Sequence, residues 1–423
     1  MTDNFVENIL TYKKDSYIIV EGKQDHTFYV IKEGNVQLSL EDEQIEDRHG
    51  SVLGTGDFFG VVSAMSSHPY LETVQAITDV TLLAVPGSQF NDFVKVYPEI
   101  AMRMVLQCSQ RLRFLNKGYL HLLFGEESVD YDHVDSPADL FDVAKFYDEK
   151  EDFGAAFYTY KQYLKLCPSG ENVEDAKKRI DALTLHEATI PYISLKNRRI
   201  YSEGAVLYAQ GEGAKEVYVI LGGSVRITKI INGKEVLLAI LKDGDIVGEM
   251  SLLEGKNRSV TAVVHEVTTL IAISRDNFDR IVDHNPKLAT HLLQSLADRI
   301  WFLFKQLQNA TLIEPTARMY DALIIQLEKK RIPLDSDNEY CFEFGTDALV
   351  TMIAGLSESD VEKALQKLKT NENLIIYEDK MFVKSIADIV KEWNYYKTRE
   401  RRKKAFMEAQ QDSRITIGEK SIF

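Results

Sequence analysis

Cysteine is scarce in this 423-residue chain, and positive charge is outnumbered. The three cysteines, Cys108, Cys167 and Cys341, share no paired spacing. That argues against a disulfide framework or a thiolate metal site and fits reduced, buried thiols of a cytoplasmic protein. No apolar run approaches the roughly eighteen residues needed to cross a bilayer. The N-terminus, Met1-Thr2-Asp3-Asn4-Phe5-Val6-Glu7, lacks the basic region and apolar block of an export signal. The expected location is cytoplasmic, with no membrane partner. Fifty Lys and Arg against 65 Asp and Glu leave a formal charge of −15, which excludes a wholesale nucleic-acid or anionic-membrane coat. Any DNA contact has to be local. Catalytic signatures are missing too: no HExxH, GxSxG or Walker glycine-lysine loop occurs, so no enzyme and no metal is expected. Gly54-Thr55-Gly56 has its next glycine at Gly60, which misses the dinucleotide spacing.

What is present is a dense stretch, Gly244-Asp245-Ile246-Val247-Gly248-Glu249-Met250-Ser251-Leu252-Leu253, followed by Asn257-Arg258-Ser259. Its glycines predict a turn into a short helix beginning at Gly248-Glu249, with Arg258 on the next strand. Backbone N–H groups at a helix start attract an anion, and an arginine fork can close on two phosphate oxygens. A glutamate beside that cradle can accept a hydrogen bond from a sugar hydroxyl. The alternative is a barrel turn in which Glu249 and Arg258 pair only with each other.

Gly248-Glu249-Met250-Ser251-Leu252-Leu253 with Arg258-Ser259 resembles the phosphate-binding cassette of cyclic-nucleotide-binding domains. The resemblance extends over residues 196–310, where Gln210-Gly211 and Val217 to Val225 are similar to the family's opening strands and turn. It implies that Glu249 holds the ribose 2′-hydroxyl, that Arg258 holds the cyclic phosphate, and that Gly248, Ser251 and Ser259 complete the site. The implied ligand is cAMP or cGMP, since Ser259 is compatible with either, and no other cofactor is implied.

At 423 residues, two to four domains are expected, and an internal repeat supplies two of them. Gly56-Asp57, Gly60, Phe90 and Pro98 match Gly244-Asp245, Gly248, Phe278 and Pro286 at a separation of 188 (for example 248 − 60). Gly22 and Gly34 match Gly211 and Gly223 at 189 (211 − 22, 223 − 34), so one residue differs in the hairpin between. The same register sets Val61 against Glu249 and Tyr70 against Arg258. The first copy therefore lacks both side chains for a cyclic phosphate and reads as a structural or dimerising module. Helical runs follow each copy, with Arg111 matching Arg299. In the resembled family the second of these helices covers the base and often forms a dimer seam, so a homodimer is expected. Trp301, Phe302 and Phe304 are candidates for the base, with core packing as the plainer use.

Between the copies, Leu140, Val143, Ala144, Tyr147, Ala156, Tyr160 and Pro168 fall at the spacing of one tetratricopeptide-like helix pair, with Glu151 to Gly154 as the turn and Glu171 to Leu183 as a covering helix. One such unit cannot bury its own face and should pack on a neighbouring barrel or a partner. The acidic stretch Glu126 to Asp132 reads as a solvated linker.

Residues 311–390 resemble the winged helix-turn-helix of the catabolite-activator (Crp/Fnr) family of bacterial regulators: a helix from Thr346, a turn at Gly355, a Ser357 cap, a second helix, and a Leu374-to-Val383 hairpin. Ser357, Ser359, Lys363 and Lys367 are the candidate DNA-binding residues. Glu358, Asp360 and Glu362 in the same turns oppose a phosphate backbone. The expected fold is α+β multidomain: two β-roll (jelly-roll-like) barrels, a helical connector and a winged helix-turn-helix. The expected divisions are 1–120, 121–190, 191–310, 311–390 and a basic tail at 391–423, centred on Lys397 to Lys404. The expected function is a cyclic-nucleotide-responsive transcriptional regulator, with DNA as one output. The alternative is a signalling adaptor that binds a protein partner and not DNA. A tandem arrangement as in protein kinase A regulatory subunits fits less well, because no Arg-Arg-x-Ser segment precedes the first copy.

Overall fold

Alternating apolar residues in short strands, punctuated by glycine turns, build two barrels of the same topology. The computed structural model describes the chain except residues 1–5, 43–44, 46–50, 125–135, 185–191, 196–197, 232, 279–284, 354, 378 and 420–423, and describes only the backbone of 124 and 404–419. In the first barrel the strands are β1 (Asn8–Tyr12), β2 (Tyr17–Ile19), β3 (Thr27–Glu33), β4 (Val36–Ser39), β5 (Val52–Leu53), β6 (Phe58–Phe59), β7 (Thr73–Ala76) and β8 (Val80–Pro86). They form two antiparallel sheets, β1-β8-β3-β6 and β2-β7-β4-β5. Helix α1 (Val61–Ser66) follows β6; α2 (Phe90–Val96) and α3 (Pro98–Phe124) close the domain. Phe28 meets Phe93 edge-on at 5.3 Å and Phe90 at 5.9 Å, pinning α2 onto β3. Each such pair contributes about 0.5–1.5 kcal/mol beyond area burial.

The connector comprises α4 (Leu140–Glu149), α5 (Phe153–Leu166) and α6 (Val173–Ala182). Asp152 caps α5 by accepting from the Ala155 amide at 3.1 Å, so the turn ends at Asp152 and Phe153-Gly154 already belong to the helix. Its core continues into the second barrel: Leu140, Ala156 and Tyr160 share one buried cluster with Val206, Ala209, Ile230 and Val263. The face that one helix pair cannot cover is thus buried on β-strands.

The second barrel contains β9 (Tyr192–Leu195), β10 (Arg198–Tyr201), β11 (Val206–Tyr208), β12 (Glu216–Gly222), β13 (Ser224–Ile231), β14 (Lys234–Lys242), β15 (Ile246–Val247), β16 (Thr261–Val264) and β17 (Thr268–Ser274). Its sheets, β15-β12-β17-β10-β9 and β11-β16-β13-β14, repeat the first barrel's order with one added edge strand. The repeat reaches the irregularities. Register shifts at Tyr17/Ile19 and Ile31/Glu33 recur at Val206/Tyr208 and Ile220/Gly222, each 189 residues on (206 − 17, 220 − 31). Helix α7 (Glu249–Glu254) corresponds to α1, and α8 (Pro286–Ala310) to α3.

The C-terminal portion consists of α9 (Pro315–Lys329), β18 (Tyr340–Phe342), α10 (Thr346–Thr351), α11 (Glu358–Lys369), β19 (Leu374–Tyr377), β20 (Lys380–Val383) and α12 (Ile386–Glu419). The three strands form a sheet in the order β18-β20-β19, and Leu323, Phe342, Leu349, Leu368 and Met381 share one core. The basic segment expected as a tail is the continuation of α12. Glu400, 2% exposed, accepts from the Ile313 amide at 2.6 Å and the Glu314 amide at 3.2 Å ahead of α9. By contacts the chain divides into two units, residues 1–39, 50–117 and 125–300, and residues 40–49, 118–124 and 301–423. Among the described residues no helix is long and apolar enough to cross a membrane.

Candidate functional site

The helix start expected at Gly248-Glu249 is where α7 begins. Gly248 caps it with φ 87°, a left-handed conformation that costs glycine little, and no side chain caps the first amides. A Cβ on Gly248 would lie 2.4 Å from Arg258 Nη1, so the glycine is also what lets the guanidinium approach. Gly60 repeats the conformation in the first copy, with φ 76°.

Arg258 lies in the loop ahead of β16 and not on that strand, contrary to the sequence expectation. Two backbone bonds hold the loop there: the Arg258 amide donates to Glu212 O at 2.7 Å, and the Gly211 amide donates to Arg258 O at 2.8 Å. The guanidinium is 3% exposed, stacks on Tyr208 with its carbon 4.1 Å from the ring centre, and donates to the carbonyls of Gly248 and Glu216. Its Nε, also buried, has no hydrogen-bond partner among the described residues. A buried cation with an unused donor, closing on an uncapped helix start, fits an anionic ligand such as a cyclic phosphate. Burial pushes the Tyr208 hydroxyl up to about 12, with the Arg258 charge opposing.

Glu249 pairs with Arg299 of α8 and not with Arg258: Arg299 Nη1 lies 2.5 Å from Glu249 Oε1, and the carboxylate side chain is 2% exposed. Ser251 is buried in the same short helix, and Ser259 is half-buried beside Arg258. Three α8 residues spaced by four reach the cassette. His291 Nε2 meets Gly244 O, Ser295 Oγ lies 3.5 Å from Asp245, and Arg299 adds a contact to Met250 Sδ at 3.7 Å. Sequence reasoning matched Arg299 to Arg111 but passed over His291 and Ser295. Their i, i+4, i+8 spacing beside the apolar stripe was the available signal. Trp301 and Phe304 are buried in the core, and Phe302, half-buried, lies under Lys329 at 4.0 Å.

In the first barrel, Tyr70 occupies the Arg258 position. It is 3% exposed and its hydroxyl donates to Thr27 O at 2.6 Å; burial raises its pKa. Val61 replaces the glutamate and is buried. Arg111, the counterpart of Arg299, has kept a carboxylate by taking another: Glu72 Oε2 lies 3.2 Å from Arg111 Nη2, with both side chains under a tenth exposed. Losing Glu at position 61 would otherwise have left a buried arginine uncompensated, a cost of about 3–5 kcal/mol.

The candidate DNA-binding residues sit along α11, all four exposed, with Ser357 and Lys367 also engaged within the protein. Ser357 caps the helix, accepting from the Asp360 amide at 3.2 Å and donating to Asp360 Oδ2 at 2.7 Å. Lys363 lies 3.9 Å from Asp360, and Lys367 pairs with Glu314 at 3.2 Å. Ser359 is exposed. In the basic segment, Lys403 also pairs with Glu314, Arg401 pairs with Glu41, and Lys397 stacks on Trp393.

Comparison with known proteins places both barrels. The cyclic nucleotide-binding domain family matches residues 9–97 and 198–285. The cyclic AMP receptor protein of Thermus thermophilus is 30% identical over 177 residues, 42% of this chain and 78% of that protein. The cAMP-activated global transcriptional regulator of Salmonella typhimurium is 28% identical over 185 residues, 43% of this chain and 87% of that protein. Among solved structures, the catabolite activator protein of Thermus thermophilus aligns at 27% identity and a TM-score of 0.26, over 47% of this chain and 89% of that one. With two matching domains and relatives of this kind, the chain belongs to the Crp/Fnr family of cyclic-nucleotide-binding regulators.

Proposed function

We propose that the chain is a regulator that senses cAMP or cGMP through its second barrel alone. The observation that carries this reading is the buried Arg258 guanidinium, with an unpartnered Nε, facing the uncapped start of α7. A cyclic phosphate would take the Arg258 donors and the first-turn amides of α7, displacing the carbonyls of Gly248 and Glu216. Its ribose hydroxyl would donate to Glu249, which Arg299 holds in place. Because Arg299, Ser295 and His291 lie on α8, ligand contact with Glu249 is felt along that helix, which runs on towards the C-terminal elements. Ligand shifts such a device only by the difference in its affinity for the two arrangements.

The output we assign first is transcriptional, through α10, α11 and the β19-β20 hairpin read as a winged helix-turn-helix. One observation favours a second output, contact with a protein. Lys367 and Lys403 share Glu314, and Glu358 and Glu362 are exposed on α11 beside an exposed Lys363. Equilibrium dialysis against labelled cAMP and cGMP tests the sensor: one site per chain is expected, and two sites or none would refute it. Gel retention of the full-length chain on random duplex DNA near physiological salt tests the output. Ligand-dependent, sequence-selective retention supports the transcriptional reading, and no retention moves the protein-contact reading ahead.

A further inference from the structure

The closing helix of each barrel reaches the short helix of the other barrel or the residues just after it. From α3 of the first barrel, Ser109 Oγ donates to Glu254 Oε1 at 3.0 Å, and Arg113 Nε lies 2.9 Å from Glu254 Oε2. Glu254 is the last residue of α7, and its side chain is 1% exposed against 7% for Arg113. In the opposite direction, Asp298 of α8 lies 3.6 Å from His68, two residues past α1. The two contacts fall at matching levels: Asp298 corresponds to position 110 in the first copy (298 − 188), between Ser109 and Arg113. Thr290 of α8 adds a 2.8 Å hydrogen bond to Asn91 of α2. A patch that contacts its own counterpart reciprocally is the pattern of a two-fold dimer interface, here made by two copies within one chain.

We infer that the first barrel, its own site lost, is a built-in partner subunit, and that Ser109 and Arg113 are positioning residues for the nucleotide site of the second barrel. The inference rests on the sensor reading only for its ligand. Glu254 closes α7 six residues after Gly248, so α3 grips the far end of the helix whose start faces the ligand. Asp298 and Thr290 of α8 are thereby engaged within the chain. Coupling between the ligand site and α3 is then reciprocal.

The tests use the full-length chain. Sedimentation equilibrium, with and without cAMP, is expected to give one chain mass, 48.2 kDa; a mass of two chains overturns the built-in partner. In ligand-free protein, Arg113→Met should speed amide exchange in residues 249–254, while Arg113→Lys, which keeps the charge, should leave it near the wild-type rate. This arm needs no nucleotide, so it decides the inference even if the sensor reading fails. With nucleotide, Arg113→Met should weaken binding about tenfold and Arg113→Lys by less than about threefold. Added nucleotide should slow exchange in residues 105–117 of α3, and Arg258→Ala should abolish that protection. Folded Arg113→Met protein with unchanged exchange in 249–254 would overturn the inference.

Discussion

Replacing Arg299 by Met separates the two roles of the buried pair in the second barrel. Arg299 Nη1 lies 2.5 Å from Glu249 Oε1, and the carboxylate side chain is 2% exposed. Without Arg299 the carboxylate stays buried with no matching cation, which costs about 3–5 kcal/mol. Glu249→Gln strands the arginine and costs less, because that side chain is 17% exposed and water can reach it. The double variant Glu249→Gln/Arg299→Met removes both charges, and neutral groups of similar volume restore most of the loss. The cycle should therefore show a coupling of about 2–3 kcal/mol in urea unfolding followed by circular dichroism. Ligand affinity should behave differently. On the proposed reading the ribose hydroxyl would donate to Glu249, a hydrogen bond to a charged group contributing about 1.5–3 kcal/mol, so the double variant should bind about 10- to 150-fold more weakly although its fold is recovered. Additive stability losses, within about 0.5 kcal/mol, would show that the charges do not depend on each other and refute the reasoning. So would full recovery of binding in the double variant.

Other substitutions probe separate steps. Gly248→Ala forces a left-handed alanine, at about 1–2 kcal/mol, and sets a methyl 2.4 Å from Arg258 Nη1, so calorimetry should find binding at least about tenfold weaker. Tyr70→Phe deprives the half-buried Thr27 carbonyl of a donor and should destabilise the first barrel by about 0.5–1.5 kcal/mol in thermal unfolding, while the number of nucleotide sites stays the same. Glu212 tests the sign of a pH effect. Burial raises its carboxyl above the ordinary 4.5, outweighing the donors from Ala209 and Tyr158. The native chain therefore holds a proton that the unfolded chain releases, and the associated stability is full below 4.5 and lost as pH rises through the native value. Glu212→Gln should gain on wild type as pH rises from about 5 to about 7, in denaturation at each pH; a constant difference would contradict it.

Much of the fold was legible because duplication leaves rigid markers. Glycines at left-handed positions and prolines at helix starts cannot drift, so Gly60 and Gly248, or Pro98 and Pro286, fixed the register of the copies, and the bulges at Ile31 and Ile220 follow it. Glu249 and Arg258 were legible as a pair of chemical types around a helix start. Their partners were not. Position-by-position comparison shows that the first copy lacks Glu at 61, but not that Glu72, aligned with Val260, would take over its arginine. The Ser109–Glu254 contact spans 145 residues and joins two domains, beyond the reach of local periodicity. Arg258, expected on the next strand, lies instead in a loop set by backbone bonds to Gly211 and Glu212. The basic segment after Trp393 reads as a solvated end by charge alone, but the buried Glu400 within it ties α12 to the start of α9.

The most direct test of the account is calorimetric titration of the full-length chain with cAMP and with cGMP, with Arg258→Ala alongside. Saturable binding of one nucleotide per chain, weakened at least about tenfold by Arg258→Ala, is the expected result. Binding that survives the substitution unchanged, or no binding of either nucleotide, would contradict the assignment of the second barrel as the sensor.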